Sequence, residues 1–146
     1  MKTKRIIPFI CMLLILGTLS PMALAYDPDL PEPDPIDPSP YTYISTIFIN
    51  FEISSTGLTD DYCIVYIPDA SCSCWLDMYL QRWNSNTEEW QTVKSWSKYG
   101  SGTITLEKEW YVAHGYVYRL KCIVSVYDSN DMLGEAVDVY SNHYYY

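Results

Sequence analysis

Apolar and polar residues alternate along much of the chain after Tyr41, and the clearest case is Gly115 to Tyr127. Tyr116, Tyr118, Leu120, Cys122, Val124 and Val126 fall on one face there, and Arg119, Lys121 and Ser125 on the other. A period of two over this length predicts a half-buried strand, not a helix. Its β-branched and aromatic residues suit a pleated surface. The face that begins with Tyr116 is the expected core face.

The rest of the chain after Tyr41 follows the same logic. No segment has a convincing period of 3.6, and apolar, aromatic and threonine-rich runs recur about every 10 to 15 residues between turn signals. The pattern predicts strands over Tyr43 to Ser54, Tyr62 to Ile67, Cys72 to Trp83, Glu89 to Ser97, Thr103 to Trp110, Gly115 to Tyr127 and Leu133 to Tyr140. The short asparagine-rich turn Asn84 to Thr87 makes a hairpin of the third and fourth strands. The expected fold class is all-β: about seven antiparallel strands in an immunoglobulin-like or fibronectin-like sandwich.

Before Tyr41 the composition is different. Lys2, Lys4 and Arg5 precede an apolar run from Ile6 to Leu19, and Ala23-Leu24-Ala25 offers the small residues of a cleavage site. This predicts a secretory signal peptide over residues 1–25, cleaved after Ala25. The run is shorter than the roughly 18 to 20 residues that cross a bilayer, and Thr18, Ser20 and Pro21 follow it, which argues against a membrane anchor. Cys11 lies inside it without a lipobox and would leave with the signal. Residues 26–40 hold six prolines and five acidic residues among 15 and predict an extended, disordered spacer. Nothing preorganises its Asp27, Asp29, Asp34 and Asp37 for calcium. The sandwich then covers residues 41–141, and residues 142–146 form a tyrosine-rich tail.

Charge narrows the partners. The chain has 9 basic and 18 acidic residues, and loss of the signal peptide would leave six against 18, a net of −12. Such a protein is repelled by nucleic acid and by anionic lipid, so nucleic acid is excluded as a partner and a membrane-spanning role is not expected. The exported domain would keep Cys63, Cys72, Cys74 and Cys122, an even set that suggests disulfides. Cys63, Trp75 and Cys122 have nearly the separations of the immunoglobulin Cys–Trp–Cys pattern. Parity departs from it, because Trp75 falls on the opposite face from Cys74, Leu76 and Leu80. One arrangement bridges Cys63 to Cys74 and leaves Cys72 for Cys122. Four cysteines allow three pairings, of which the small Cys72–Cys74 ring is the least favourable. Cys72 and Cys74 are too closely spaced for a zinc pair.

Three stretches carry a resemblance: Leu80, Gln81, Trp90, Val93 and Trp96; Gly115, Tyr116, Tyr118 and Arg119; and Val126, Tyr127, Asp128, Gly134 and Glu135. Across roughly Tyr41 to Ser141 the chain resembles a family of small exported β-rich proteins of Gram-positive bacteria, a domain of unknown function. The resemblance implies export and a sandwich fold, and it brings no catalytic residues.

No catalytic constellation stands out. His114 falls in a turn and His143 in the tail, and no nucleophile elbow or oxyanion-hole motif is present. Asp77, Glu107 and Glu109 read as solvated strand charges. Asp128-Ser129-Asn130-Asp131 lacks the other positions of a calcium loop and reads as a turn. No cofactor and no metal are expected, and the chain reads as non-enzymatic. The surplus is aromatic: 15 tyrosines and 5 tryptophans against 3 phenylalanines. Such side chains suit surfaces that are half apolar and half wet. Trp75, Tyr79 and Trp83 share one face of the third strand and form a candidate ligand-binding stripe. The expected function is an extracellular binding module for a glycan or a protein. The alternatives are a self-associating structural protein, a secreted effector against neighbouring cells, and a plain structural role for the aromatics through cross-strand pairing.

Overall fold

A computed structural model describes residues 41–146. The expected signal peptide with its cleavage point, Cys11 and the acidic proline-rich segment lie outside the described residues. The described chain folds into eight strands: β1 (Thr46–Ile53), β2 (Leu58–Tyr66), β3 (Ser73–Asn84), β4 (Glu89–Gly100), β5 (Thr103–Tyr111), β6 (Val117–Tyr127), β7 (Leu133–Tyr140) and β8 (Tyr144–Tyr145). All pair antiparallel, in one sheet ordered β1-β2-β5 and a second ordered β4-β3-β6-β7, with β8 also on β6. The two sheets pack as a β-sandwich. The order differs from that of immunoglobulin constant domains in one step: β4 bonds to β3 rather than to β5.

The alternation explains the core. Tyr118, Leu120, Cys122, Val124 and Val126 of β6 face Cys63 and Val65 of β2 and share the interior with Cys74, Leu76, Met78 and Leu80 of β3. All are buried. Each large apolar side chain there contributes about 1.5–3 kcal/mol. Tyr118 fastens the connection from β5 to β6: its hydroxyl donates to the Ala113 carbonyl five residues upstream, at 2.8 Å. Immunoglobulin-like sandwiches use a tyrosine at this corner in the same way.

Three sequence expectations change. Tyr116 is not in the core; it is 41% exposed. β6 begins only at Val117, and the Arg82 guanidinium stacks 4.5 Å from the Tyr116 ring centroid. β2 starts at Leu58 rather than Tyr62, because Thr59 and Asp61 point inward and break the apolar alternation that marks a strand. β1 starts at Thr46, since the amides of Thr42, Tyr43 and Ile44 bond to the Glu135 carboxylate of β7 instead of to a ladder.

The tail is also structured. Tyr144 and Tyr145 pair with β6 as an eighth strand. The Tyr146 carbonyl accepts bonds from the amides of Gly115 and Tyr116, and the Tyr146 amide donates to the Tyr116 carbonyl at 3.0 Å. Gly57 lets this end close down. Its φ is +82°, and a Cβ there would sit 2.8 Å from the Tyr146 ring and 2.9 Å from the Val112 carbonyl oxygen. Asp128 to Asp131 forms the expected turn, with the Asp128 carboxylate accepting from the amides of Asn130 and Met132 at 2.8 and 3.0 Å. These bonds hold the Asp128 carboxyl below its usual range.

Candidate functional site

The outer face of the β4-β3-β6-β7 sheet gathers the surplus aromatics. The register of β3 with β6 is unbroken from Ser73 to Arg82, so Trp75, Asp77, Tyr79 and Gln81 face outward together, and Trp83 continues that side. The candidate stripe therefore lies on one face. β4 adds to it through a bulge: Leu80 pairs with Lys94 and Gln81 with Thr92, leaving Val93 as the extra residue. In a regular ladder without the bulge Trp90 would turn to the other side. With it, Trp90 stands opposite Trp83, and Tyr99 stands opposite Trp75.

The face divides into two ends. At one end Trp83 and Trp90 pack with ring centroids 5.3 Å apart. The Arg119 guanidinium of β6 lies 4.2 Å from the Trp90 centroid and 4.5 Å from that of Tyr140 on β7, so the cation is stacked between two rings. Arg119 Nε also donates to Gln81 Oε1 at 2.9 Å, over a Gln81 side chain that is itself buried. The aromatic contacts at this end are thus largely taken up within the molecule. Beside them Lys121 pairs with Asp138 at 2.7 Å, and Tyr79 is half-buried opposite Lys121.

The other end is open. Trp75 and Tyr99 are 45% and 54% exposed, with centroids 5.1 Å apart and planes tilted by 48°. Across from Trp75 the next two strands carry only Ser125 and Ala136, so no large side chain covers the indole from that side. One row along, the Asp77 carboxylate accepts from the Ser97 hydroxyl. An aromatic platform bordered by a carboxylate and hydroxyls can receive a ligand with one apolar face and a polar rim. The stripe read from sequence omits Tyr99 and Trp90. The first needs the hairpin register, and the second needs the bulge, which no residue type in β4 announces.

The other titratable groups lie elsewhere. Asp61 of β2 is fully buried beneath the other sheet. Thr59 Oγ1 donates to its Oδ2 at 3.0 Å, and Oδ1 has no partner among the described residues. Burial raises this carboxyl to about 7, against the opposing Thr59 bond. Its inward direction is readable from its parity with Cys63 and Val65. His114 packs edge-on against Tyr145 and Tyr146, at 6.3 and 5.2 Å.

Cys63, Cys72, Cys74 and Cys122 are all buried and are free thiols in the structure. Cys63 and Cys122 point inward from the middle strands of the two sheets, and the neighbouring Cys63 and burial push the Cys122 thiol well above its ordinary range. Cys72 precedes β3 beside Asp69, while Cys122 lies at mid-β6 opposite Met78, six positions further along β3. That separation is about 20 Å of strand, against the roughly 7 Å between Cα atoms that a disulfide spans. The Cys72–Cys122 bridge is therefore ruled out by this arrangement. Among the described residues no group of three or more histidine, cysteine, aspartate or glutamate side chains is placed to hold a metal ion. No described helix is long and apolar enough to cross a membrane. No family model matches the chain, and no curated protein matches it.

Proposed function

We propose that the chain is an exported, non-enzymatic binding module whose ligand docks on the outer face of the β4-β3-β6-β7 sheet. The observation that carries this reading is the open Trp75–Tyr99 pair, two large aromatic side chains left exposed side by side. The fit is to a glycan: ring CH faces stack on indole and phenol, and hydroxyls bond to Asp77, Ser97 and Ser125. An extracellular protein is the competing ligand. The first test is a glycan array probed with the purified chain, followed by the same array with Trp75→Ala. A specific hit that Trp75→Ala lowers at least tenfold, with the far-UV spectrum and Tm held, supports the reading. A hit that survives the substitution, or an empty array, overturns the glycan assignment.

One observation favours self-association as a second reading. β1 is an open sheet edge with the sequence TIFINFEI, its Phe48 is 54% exposed, and its only charge is Glu52. Uncharged apolar edges invite strand pairing between molecules. Light scattering over a concentration series decides it: growth of the mass with concentration favours assembly through this edge, and a constant monomer mass rejects it.

A further inference from the structure

We propose that the outer face of the β1-β2-β5 sheet is a docking surface for an extended polypeptide segment rich in lysine or arginine. This face lies on the opposite side of the sandwich from the Trp75–Tyr99 platform, and the proposal does not depend on what that platform binds. On β2, Thr59, Asp61, Cys63 and Val65 are buried, so Asp60, Tyr62, Ile64 and Tyr66 between them point outward. The register carries this outward set onto both neighbouring strands.

The face has an apolar half and an acidic half. In the first, Phe48, Ile64 and Thr105 stand in one row, and Tyr66 stands between two threonines in the next. Phe48 is 54% exposed and Tyr66 45%, and Phe48 packs edge-on against Tyr62 at 6.1 Å. In the second half Glu52, Asp60 and Glu109 form one row across all three strands, and Glu107 stands one row along, opposite Tyr62. All four carboxylates are exposed. Residues directly opposite on neighbouring strands have Cβ atoms about 5 Å apart, and like charges there repel.

No base on this sheet offsets the row. β1 and β2 hold no lysine or arginine, and Lys108 falls on the other side of β5 from Glu107 and Glu109. Lys98 reaches across from β4, but its ammonium donates to the Thr105 carbonyl at 2.8 Å. An exposed aromatic patch beside uncompensated carboxylates is complementary to a ligand that carries apolar and cationic groups together. The spacing suits an extended chain. Glu107 and Glu109 are about 7 Å apart along β5, and alternate side chains of an extended ligand repeat at the same interval. A second copy is the poorer occupant, because Lys94, Arg119 and Lys121 are engaged within their own molecule with Trp110, with Trp90 and Tyr140, and with Asp138.

The test titrates a fluorescently labelled lysine–leucine peptide with the purified chain, read by anisotropy. Carbodiimide cross-linking and mass spectrometry then locate the contact. The expected cross-links run from peptide lysines to Glu52, Asp60, Glu107 or Glu109. Combining Glu52→Gln, Asp60→Asn and Glu109→Gln should weaken binding at least tenfold. Raising the salt from about 50 to about 300 mM should weaken it at least tenfold in the native chain. The triple variant relieves repulsion, so an equal or higher Tm separates lost binding from lost fold. A charge-matched control, Glu88→Gln, Glu89→Gln and Asp131→Asn, should bind within about twofold of the native chain, as should Trp75→Ala. Equal losses in the two triple variants would reduce the effect to net charge and overturn the proposal. Cross-links confined to other acids, or no binding at low salt, overturn it too. A dimer in light scattering that the first triple variant dissolves would assign the face to a second copy and overturn it likewise.

Discussion

Replacing Asp61 by asparagine should stabilise the domain above neutral pH and remove part of its pH dependence. The carboxyl is fully buried, with one oxygen bonded to Thr59 and the other unpartnered among the described residues. Its folded-state value is raised from 3.8 to about 7, chiefly by burial. The folded chain then holds a proton that the unfolded chain has released, so stability falls as pH rises from about 4 to about 7 and levels off above that. The full span is about 3 pH units at 1.36 kcal/mol each, or about 4 kcal/mol. Between pH 5 and pH 8 the loss is about 3 kcal/mol. The amide of the Asp61→Asn variant would be neutral throughout and would keep an oxygen for the Thr59 hydroxyl, so any packing cost it carries is the same at each pH. Urea unfolding of the two proteins at pH 5, 6, 7 and 8 isolates the effect, because every other titrating group is common to both. The advantage of the variant should grow by about 3 kcal/mol across the series. A difference that stays flat from pH 5 to pH 8 would refute the buried, proton-holding role of Asp61.

Tyr118→Phe removes the hydroxyl that donates to the Ala113 carbonyl and should cost about 1 kcal/mol, read as a lower urea midpoint at unchanged slope. An unchanged midpoint would show that the corner closes without it. Gly57→Ala combines a positive φ with close contacts to Tyr146 and to the Val112 carbonyl, so it should destabilise by more than about 1 kcal/mol. Hydrogen exchange should show the loss concentrated at the β6–β8 pairing, and an unaffected exchange pattern there would contradict the reasoning.

The strands are legible in the sequence where one face is apolar and the other polar. β6 is the clearest case, because Leu120, Cys122, Val124 and Val126 share one face and, from Arg119 to Ser125, only Ile123 interrupts the polar one. Legibility fails where the interior is polar. Thr59 and Asp61 face inward, so the first half of β2 looks like a turn by composition. It fails again where pairing is decided by distant residues. The tail becomes β8 through bonds to Gly115 and Tyr116, and nothing within residues 142–146 specifies that partner. Within the candidate site the stripe on β3 is readable from its spacing of four. The contribution of β4 depends on the hairpin register and on the bulge at Val93, which are properties of two strands together.

The aromatic surplus becomes informative only when each ring is assigned a task. Trp96 and Trp110 meet at 6.4 Å along the β4–β5 edge, and Lys94 caps Trp110 at 4.4 Å, so these residues close one side of the sandwich. Tyr118 holds the corner. Tyr146 covers Gly57, and Tyr116 carries Arg82. Trp83, Trp90 and Tyr140 pack against each other or against Arg119. Each of these rings has a partner that accounts for its position by packing or cation–π attraction, worth about 0.5–2 kcal/mol apiece. Trp75 and Tyr99 pack on one another, stay 45% and 54% exposed, and stand opposite the small Ser125 and Ala136 on the next two strands. Sheet stability alone would be served as well by a threonine–threonine or valine–threonine pair at that register, without exposing an indole. Two exposed rings packed side by side, opposite small residues on the next two strands, move the centre of the candidate site from the middle of the β3 stripe to its Trp75 end.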